Sequence, residues 1–186
     1  MDIKALAQKY EPYIIERRRY FHAHPELSFK EWETTKALVA EFEKMGMEIQ
    51  TFPDYPGLIA TLDTGKPGRT VMLRADIDAL PVKEGTGLEF ASQNEGVMHA
   101  CGHDNHMAML LGAAHILLEK KDELKGKVKF LLQSGEEMAC GAKYYVDHNI
   151  LDGVDAIFGQ HIWGTLDAPY VCVAAGNRMA SCDNFT

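Results

Sequence analysis

The sequence predicts an α/β layer fold, a mixed or largely parallel sheet flanked by helices. Three observations carry this expectation. Short apolar runs of strand character alternate along the chain with longer stretches of helical period. Turns rich in glycine and proline separate them. The 186 residues, 46% hydrophobic and 25% charged, match one ordinary globular domain with a sizeable core.

Taken in order, residues 2–21 read as a helix, because Ile3, Leu6, Ala7, Tyr10, Ile14 and Ile15 recur on one side. Pro12 is expected to kink or restart it. Ser28-Phe29-Lys30-Glu31 has the spacing of a capping box, in which the serine oxygen and the glutamate close free N–H groups at a helix start. Trp32, Leu38, Val39, Phe42 and Met45 then give a second helical period, with Gly46 as its stop. Strands are expected at 47–52, 58–62 and 70–74, with Gly65-Lys66-Pro67-Gly68 turning between the last two. The polar segment from 75 to about 103 is too long for a plain connection and is therefore a candidate functional loop. A helix over 104–119, a strand over 127–133, a helix over 141–149 and a strand over 154–159 complete the pattern. On sheets of this kind ligand sites gather at the carboxyl ends of strands.

Charge and composition exclude several functions. With 27 acidic against 19 basic side chains the net charge is −8, and the one basic cluster, Arg17 to Arg19, is balanced by Glu11 and Glu16. Nucleic-acid binding needs a basic face, so no nucleic-acid partner is expected. Nor is a membrane partner, since no apolar run approaches the roughly 20 residues of a bilayer span. Cys101, Cys140, Cys172 and Cys182 are too few and too scattered for a disulfide scaffold, and Met1-Asp2-Ile3-Lys4 lacks the apolar core of a signal peptide. The expected compartment is the reducing cytoplasm.

The chemistry-bearing residues gather after the predicted strands. His99-Ala100-Cys101-Gly102-His103-Asp104-Asn105-His106 packs three histidines, a cysteine and a carboxylate into eight positions at a loop–helix junction. A thiolate and an imidazole separated by a flexible glycine can both point at one divalent cation; the plainer reading is a set of loop histidines with Asp104 as a helix cap. Glu136-Glu137 follows the strand at 127–133, where one carboxylate can bind a metal and its neighbour can take a proton from water. In isolation such a pair is more often solvated surface. An apolar strand delivers His161 at its end, and Asp76 and Asp78 follow another strand. Asp76 could orient a ligand imidazole from behind, or simply serve as a turn acid. Together, three strand ends offering His, Cys and Glu groups favour a metal site.

In order along the chain, His24-Pro25-Glu26-Leu27-Ser28-Phe29, Leu73-Arg74-Ala75-Asp76-Ile77-Asp78-Ala79-Leu80-Pro81, His99-Ala100-Cys101-Gly102-His103-Asp104, Glu136-Glu137 and Gly153-Val154-Asp155-Ala156-Ile157-Phe158-Gly159-Gln160-His161 resemble the amidohydrolase branch of the aminoacylase and carboxypeptidase metallopeptidase family. The resemblance implies a zinc-aminopeptidase-like catalytic domain with two divalent metal ions. Cys101, His103, Glu137 and His161 would be their ligands, Glu136 the general base, and Asp76 an acid beside the metals. His99 and His106 receive no ligand duty from it. A thiolate ligand favours zinc, with manganese, cobalt and nickel as the other candidates.

The implied reaction is hydrolysis of the amide bond of an N-acyl-amino acid or short peptide by a metal-activated water. Members of that family are about twice as long, with an inserted dimerisation domain and a later histidine ligand. Residues 1–186 are thus expected to be the N-terminal part of the catalytic domain, ending near Met179–Thr186 at the start of the insertion, and the full-length parent is expected to be a homodimer. Two other readings compete: a metal-binding fragment without turnover, and a Cys101-nucleophile amidase with His103 or His106 as base.

Overall fold

A computed structural model describes residues 2–176, so Cys182 and the expected start of an insertion at 179–186 lie outside the described residues. Its centre is a five-stranded mixed sheet of β1 (Glu48–Phe52), β2 (Tyr55–Asp63), β3 (Thr70–Asp76), β4 (Lys127–Gln133) and β5 (Ala156–Gly159), in the order β1-β2-β4-β3-β5. β2 runs antiparallel to both β1 and β4, whereas β3 runs parallel to both β4 and β5. The parallel register pairs Asp76 with Gln133 and Arg74 with Gly159, which brings the carboxyl ends of β3, β4 and β5 to one edge. Helices α1 (Ile3–Ala23), α2 (Trp32–Lys44), α3 (His103–Glu119) and α4 (Gly141–Asp147) surround the sheet.

Strand alternation builds a core on each face of the sheet. Leu58, Ala60 and Leu62 of β2, with Phe130 and Leu132 of β4, pack against Phe21, Leu38, Phe42, Met107 and Leu111 from α1, α2 and α3. Ile59, Met72 and Leu131 point the other way, onto Phe52, Tyr145 and Ile150. Burial on both faces is why the β4 sequence reads as an apolar run and not as a simple alternation. β5 is an edge with Ile157 and Phe158 exposed. Among the described residues no helix is long and apolar enough to cross a membrane.

Four differences from the expected elements stand out. α1 continues through Pro12 without a restart. Pro12 and the preceding turn at Gln8 are both exposed, so water can take the carbonyl that loses its helical partner. β2 begins at Tyr55 and β3 reaches Asp76, which makes Asp76 the last residue of its strand. The capping box at Ser28 and Glu31 does not form. Neither side chain caps α2; instead Glu26 accepts the Glu33 and Thr34 N–H groups at 3.3 and 2.7 Å. The Ser28 hydroxyl and the Glu31 carboxylate turn inward, because buried polar groups beneath the sheet edge need them more than solvent-accessible helix amides do.

Gly57 shows how tightly this edge is built. Its φ is +101°, its N–H donates to Thr35 Oγ1 at 2.8 Å, and a Cβ would fall 2.2 Å from the Tyr145 hydroxyl and 2.5 Å from the Leu132 carbonyl oxygen. Gly57→Ala should therefore destabilise the fold by roughly 3 kcal/mol or more through combined strain and overpacking. Urea unfolding of the two proteins checks this.

Candidate metal centre

Every strand that ends at the shared edge contributes to one cluster. β3 ends in Asp76 and continues through the buried Ile77 to Asp78. β4 is followed by Ser134 and Gly135, whose φ of +70° lets the chain turn into a short 3-10 helix, Glu136–Met138. β5 is followed by Gln160 and His161. The 75–103 loop returns through Cys101 to Gly102, with φ +98°, which opens α3 directly into His103. His103, Asp76 and Asp78 are buried, Glu137 is partly covered, and Glu136 is the more open of the two glutamates.

Hydrogen bonding fixes how the histidines face the cluster. His103 Nδ1 lies 2.8 Å from the Asp78 carbonyl and 3.2 Å from Asp78 Oδ1. A carbonyl can only accept, so Nδ1 carries a proton, and in the neutral ring the lone pair is on Nε2. That atom is buried and has no hydrogen-bond partner. It faces Asp76 Oδ2 at 3.6 Å, Glu136 Oε2 at 3.7 Å and Glu137 Oε1 at 3.7 Å. Glu137 Oε1 is likewise buried without a partner. These gaps are too long for hydrogen bonds but near the roughly 3.3 Å that separates two ligands on one tetrahedral zinc. His161 repeats the pattern. Its Nδ1 donates to the Ile162 carbonyl, leaving Nε2 3.4 Å from Cys101 Sγ. Cys101, His103 and His161 thus form one group able to hold a cation, and His103, Glu136 and Glu137 form another. The donor set suits a divalent metal.

The surrounding charges call for a cation. Burial, then the negative charges of Glu137, Glu136 and Asp76, push the Cys101 thiol up to about 12. Burial also raises the pKa of Glu137, with His103 offsetting part of the effect. Burial opposes a charge on His103, yet its bond to Asp78 and the charges of Asp76 and Asp78 prevail and raise its pKa. For Asp76, burial is outweighed by the hydrogen bond from His106 and the charge of Arg74, which hold its carboxyl down to about 2.

The six residues named from sequence therefore converge, but Asp76 does not make the bond expected of it. It stands 3.6 Å from His103 Nε2 and spends its oxygens on His106 Nδ1 at 2.5 Å and Arg74 at 2.8 Å. Asp78 makes the bond to His103 instead. Its Oδ2 also accepts the Ser28 hydroxyl at 2.7 Å and the Glu137 N–H at 2.9 Å, tying three segments together. Sequence reading noted Asp78 as the second of two acids after a strand but gave it no role. Glu31, expected only as the glutamate of a capping box, has a different task. Fully buried, it accepts the Ser134 hydroxyl at 2.7 Å and the Gly135 N–H at 3.0 Å, bracing the turn that presents Glu136 and Glu137. His99 is buried with both ring nitrogens unpartnered, and burial pushes its pKa down to about 4.

Burial lifts the Glu31 carboxyl from 4.5 to about 7 against the pull of its Ser134 and Gly135 bonds. A folded pKa above the unfolded one means that the stabilising contribution of Glu31 is fully present below pH 4.5 and is lost as pH rises through 7. Across that window the wild type should lose on the order of 3 kcal/mol relative to Glu31→Gln, which cannot titrate. Urea unfolding of both proteins from pH 4 to 8 checks this.

Comparison with known proteins agrees with this geometry. The family model described as peptidase family M20/M25/M40 matches residues 72–174. An N-acyl-L-amino acid amidohydrolase of Geobacillus stearothermophilus is 42% identical over 99% of this chain and 50% of its own length. Thermostable carboxypeptidase 1 of Saccharolobus solfataricus is 41% identical over 98% of this chain and 47% of its own length. Among solved structures, the Bacillus subtilis YXEP protein, described as a dinuclear metal binding peptidase, superposes with a TM-score of 0.80 at 44% identity, covering 88% of this chain and 45% of that one. The chain spans about half the length of the relatives it matches. On the strength of the family match and these relatives, the chain belongs to peptidase family M20/M25/M40.

Proposed function

We propose that this chain carries the metal-holding part of a hydrolase that cleaves the amide bond of N-acyl-amino acids or short peptides. The observation that carries the reading is the unpartnered Nε2 of His103, buried among three carboxylates beside the Cys101–His161 pair. The names of the amidohydrolase and carboxypeptidase relatives support the substrate class. Their double length supports taking residues 1–186 as the N-terminal part of a catalytic domain. The three cysteines of the described region are free, which fits a reducing cytoplasm.

Cys101, His103, Glu137 and His161 would hold two divalent ions, zinc first and manganese, cobalt or nickel as alternatives. Such ions, when bound, supply Lewis-acid polarisation of the scissile carbonyl and a lowered pKa for water. Asp78 keeps His103 in the tautomer that presents Nε2 and holds the Glu137 amide, so two candidate ligands share one anchor. Asp76 contributes a fixed negative charge, made permanent by Arg74 and His106. Glu136, with 37% of its side chain exposed against 19% for Glu137, has the access a general base needs. It takes a proton from water during attack and returns it to the leaving amine.

The 3.4 Å separation of Cys101 and His161 also resembles a nucleophile–base pair. Burial and the acids around the sulfur oppose a free thiolate, however, whereas a shared cation would stabilise it. Chelation separates the two readings. The purified 186-residue chain should carry zinc or a related ion by elemental analysis, and zinc binding should release protons, detected calorimetrically in buffers of different ionisation enthalpy. EDTA should remove the ion and, in a protein of the relatives' length, abolish acyl-amino-acid hydrolysis. Hydrolysis that persists in EDTA overturns the metal reading.

The neighbouring glutamates should differ in kind. In that longer protein, Glu136→Gln should keep its metals and lose at least a hundredfold in turnover. Glu137→Gln exchanges an anionic ligand for a neutral one, so metal affinity should fall and activity should partly return with added metal. Metal stoichiometry measured beside turnover checks both, and the reverse pattern exchanges the two roles.

A further inference from the structure

We propose that His106 is a positioning residue that sets His161. The metal-binding arm of its test rests on the reading above. His106 is 2% exposed and lies one turn along α3 from His103. Both of its ring nitrogens are engaged. Ile162 N–H, which can only donate, points at Nε2 at 3.0 Å. The lone pair is therefore on Nε2, and the proton on Nδ1 is donated to Asp76 Oδ1 at 2.5 Å. Neither nitrogen is left for a cation, although Asp76, His103 and His106 lie close enough to form a third candidate group.

What the ring does instead is join two strand ends. Asp76 closes β3 and is locked by Arg74; Ile162 follows β5, next to His161. His161 lies on an exposed stretch beyond a four-residue edge strand, where it otherwise meets the Ile162 carbonyl, the Cys101 sulfur at 3.4 Å and the Trp163 ring, none of them from the buried sheet. The His106 ring also meets the His161 ring edge-on at 4.8 Å and stacks on His103 at 5.4 Å. The line Arg74–Asp76–His106–Ile162 thus carries the rigidity of the buried sheet out to an exposed candidate ligand. Partners bonded directly to a ligand ring typically change affinity tenfold to a hundredfold, and His106, which holds the peptide next to His161 and touches its ring, should act at the lower end of that range.

The test uses the 186-residue chain, with cobalt(II) as the only metal. His161→Ala should weaken cobalt binding and alter the saturated visible spectrum, because an imidazole ligand is gone. His106→Ala should weaken binding at least tenfold, yet reach the wild-type spectrum at saturating cobalt, because every ligand remains. His106→Gln should recover most of the affinity, since its amide oxygen can accept the Ile162 N–H. A saturated His106→Ala spectrum matching that of His161→Ala would make His106 itself a ligand and overturn the proposal. Wild-type affinity in a folded His106→Ala protein would overturn it too.

A metal-free arm keeps the two ideas separable. Nitrogen NMR of the wild type should show the His106 proton on Nδ1 and Nε2 as a hydrogen-bond acceptor. Hydrogen exchange at the Ile162 amide should speed at least tenfold in His106→Ala and stay slow in His106→Gln. If Ile162 exchanges equally in all three, the proposal fails whatever cobalt does. If cobalt never binds but Ile162 behaves as stated, only the metal reading fails. Should His106→Ala not fold, the glutamine variant decides: a fast-exchanging Ile162 in that protein counts against the proposal.

Discussion

Asp78 holds a carboxylate almost out of reach of water, a placement that is costly unless its oxygens are satisfied. Three segments supply what it needs: the Ser28 hydroxyl from the loop after α1, the Glu137 N–H from the turn after β4, and His103 from the start of α3. These bonds and the burial pull its pKa in opposite directions, and the bonds prevail and lower it. Removing any partner would leave a buried charge short of a donor, so each segment is held by the needs of the others. The candidate centre is thereby built into the fold and not laid on its surface.

Sheet topology explains why that anchoring coincides with the chemistry. β3, β4 and β5 run parallel, so their carboxyl ends meet at one edge, and the chain must leave the sheet there three times. Each exit delivers a polar group: Asp76 and Asp78, Glu136 and Glu137, and His161. β2 runs the opposite way, and its first residues meet the same edge through Gly57, where the lack of a side chain lets Tyr145 reach the Pro56 carbonyl and the Ser134 N–H. Glu31 braces the same turn from the helical face. Backbone amides at Ser134, Gly135 and Glu137 are thus each claimed by a buried side chain, which leaves the glutamate turn little freedom.

Much of this was legible in the sequence, because hydrophobic periodicity reports burial directly. The central strands followed from it, as did the mixed α/β class, the helical period from Trp32 to its stop at Gly46 and the helix expected over 104–119, which begins one residue earlier at His103. The cluster of Cys101, His103, Glu136, Glu137 and His161 was legible for a different reason. Carboxylates and imidazoles are expensive to bury, and Glu136, Glu137 and His161 follow apolar strands, where α/β folds place their ligands, while Cys101 and His103 stand at the loop–α3 junction.

What the tertiary structure alone decided was which acid serves which partner. Asp76 and Asp78 stand two residues apart, so an extended chain turns both toward the same side, and nothing local tells them apart. The backbone path after β3 puts the Asp78 carboxylate 3.2 Å and its carbonyl oxygen 2.8 Å from His103 Nδ1, and leaves Asp76 beyond bonding distance of that ring, on His106 instead. The misread capping box has the same origin. Ser28 and Glu31 have the spacing to cap α2, but the unmet donors of the buried Ser134–Gly135 turn lie more than a hundred residues away in the chain. Periodicity determined what is buried. Partner choice among buried polar groups depends on contacts distant in sequence, and only the folded chain settles it.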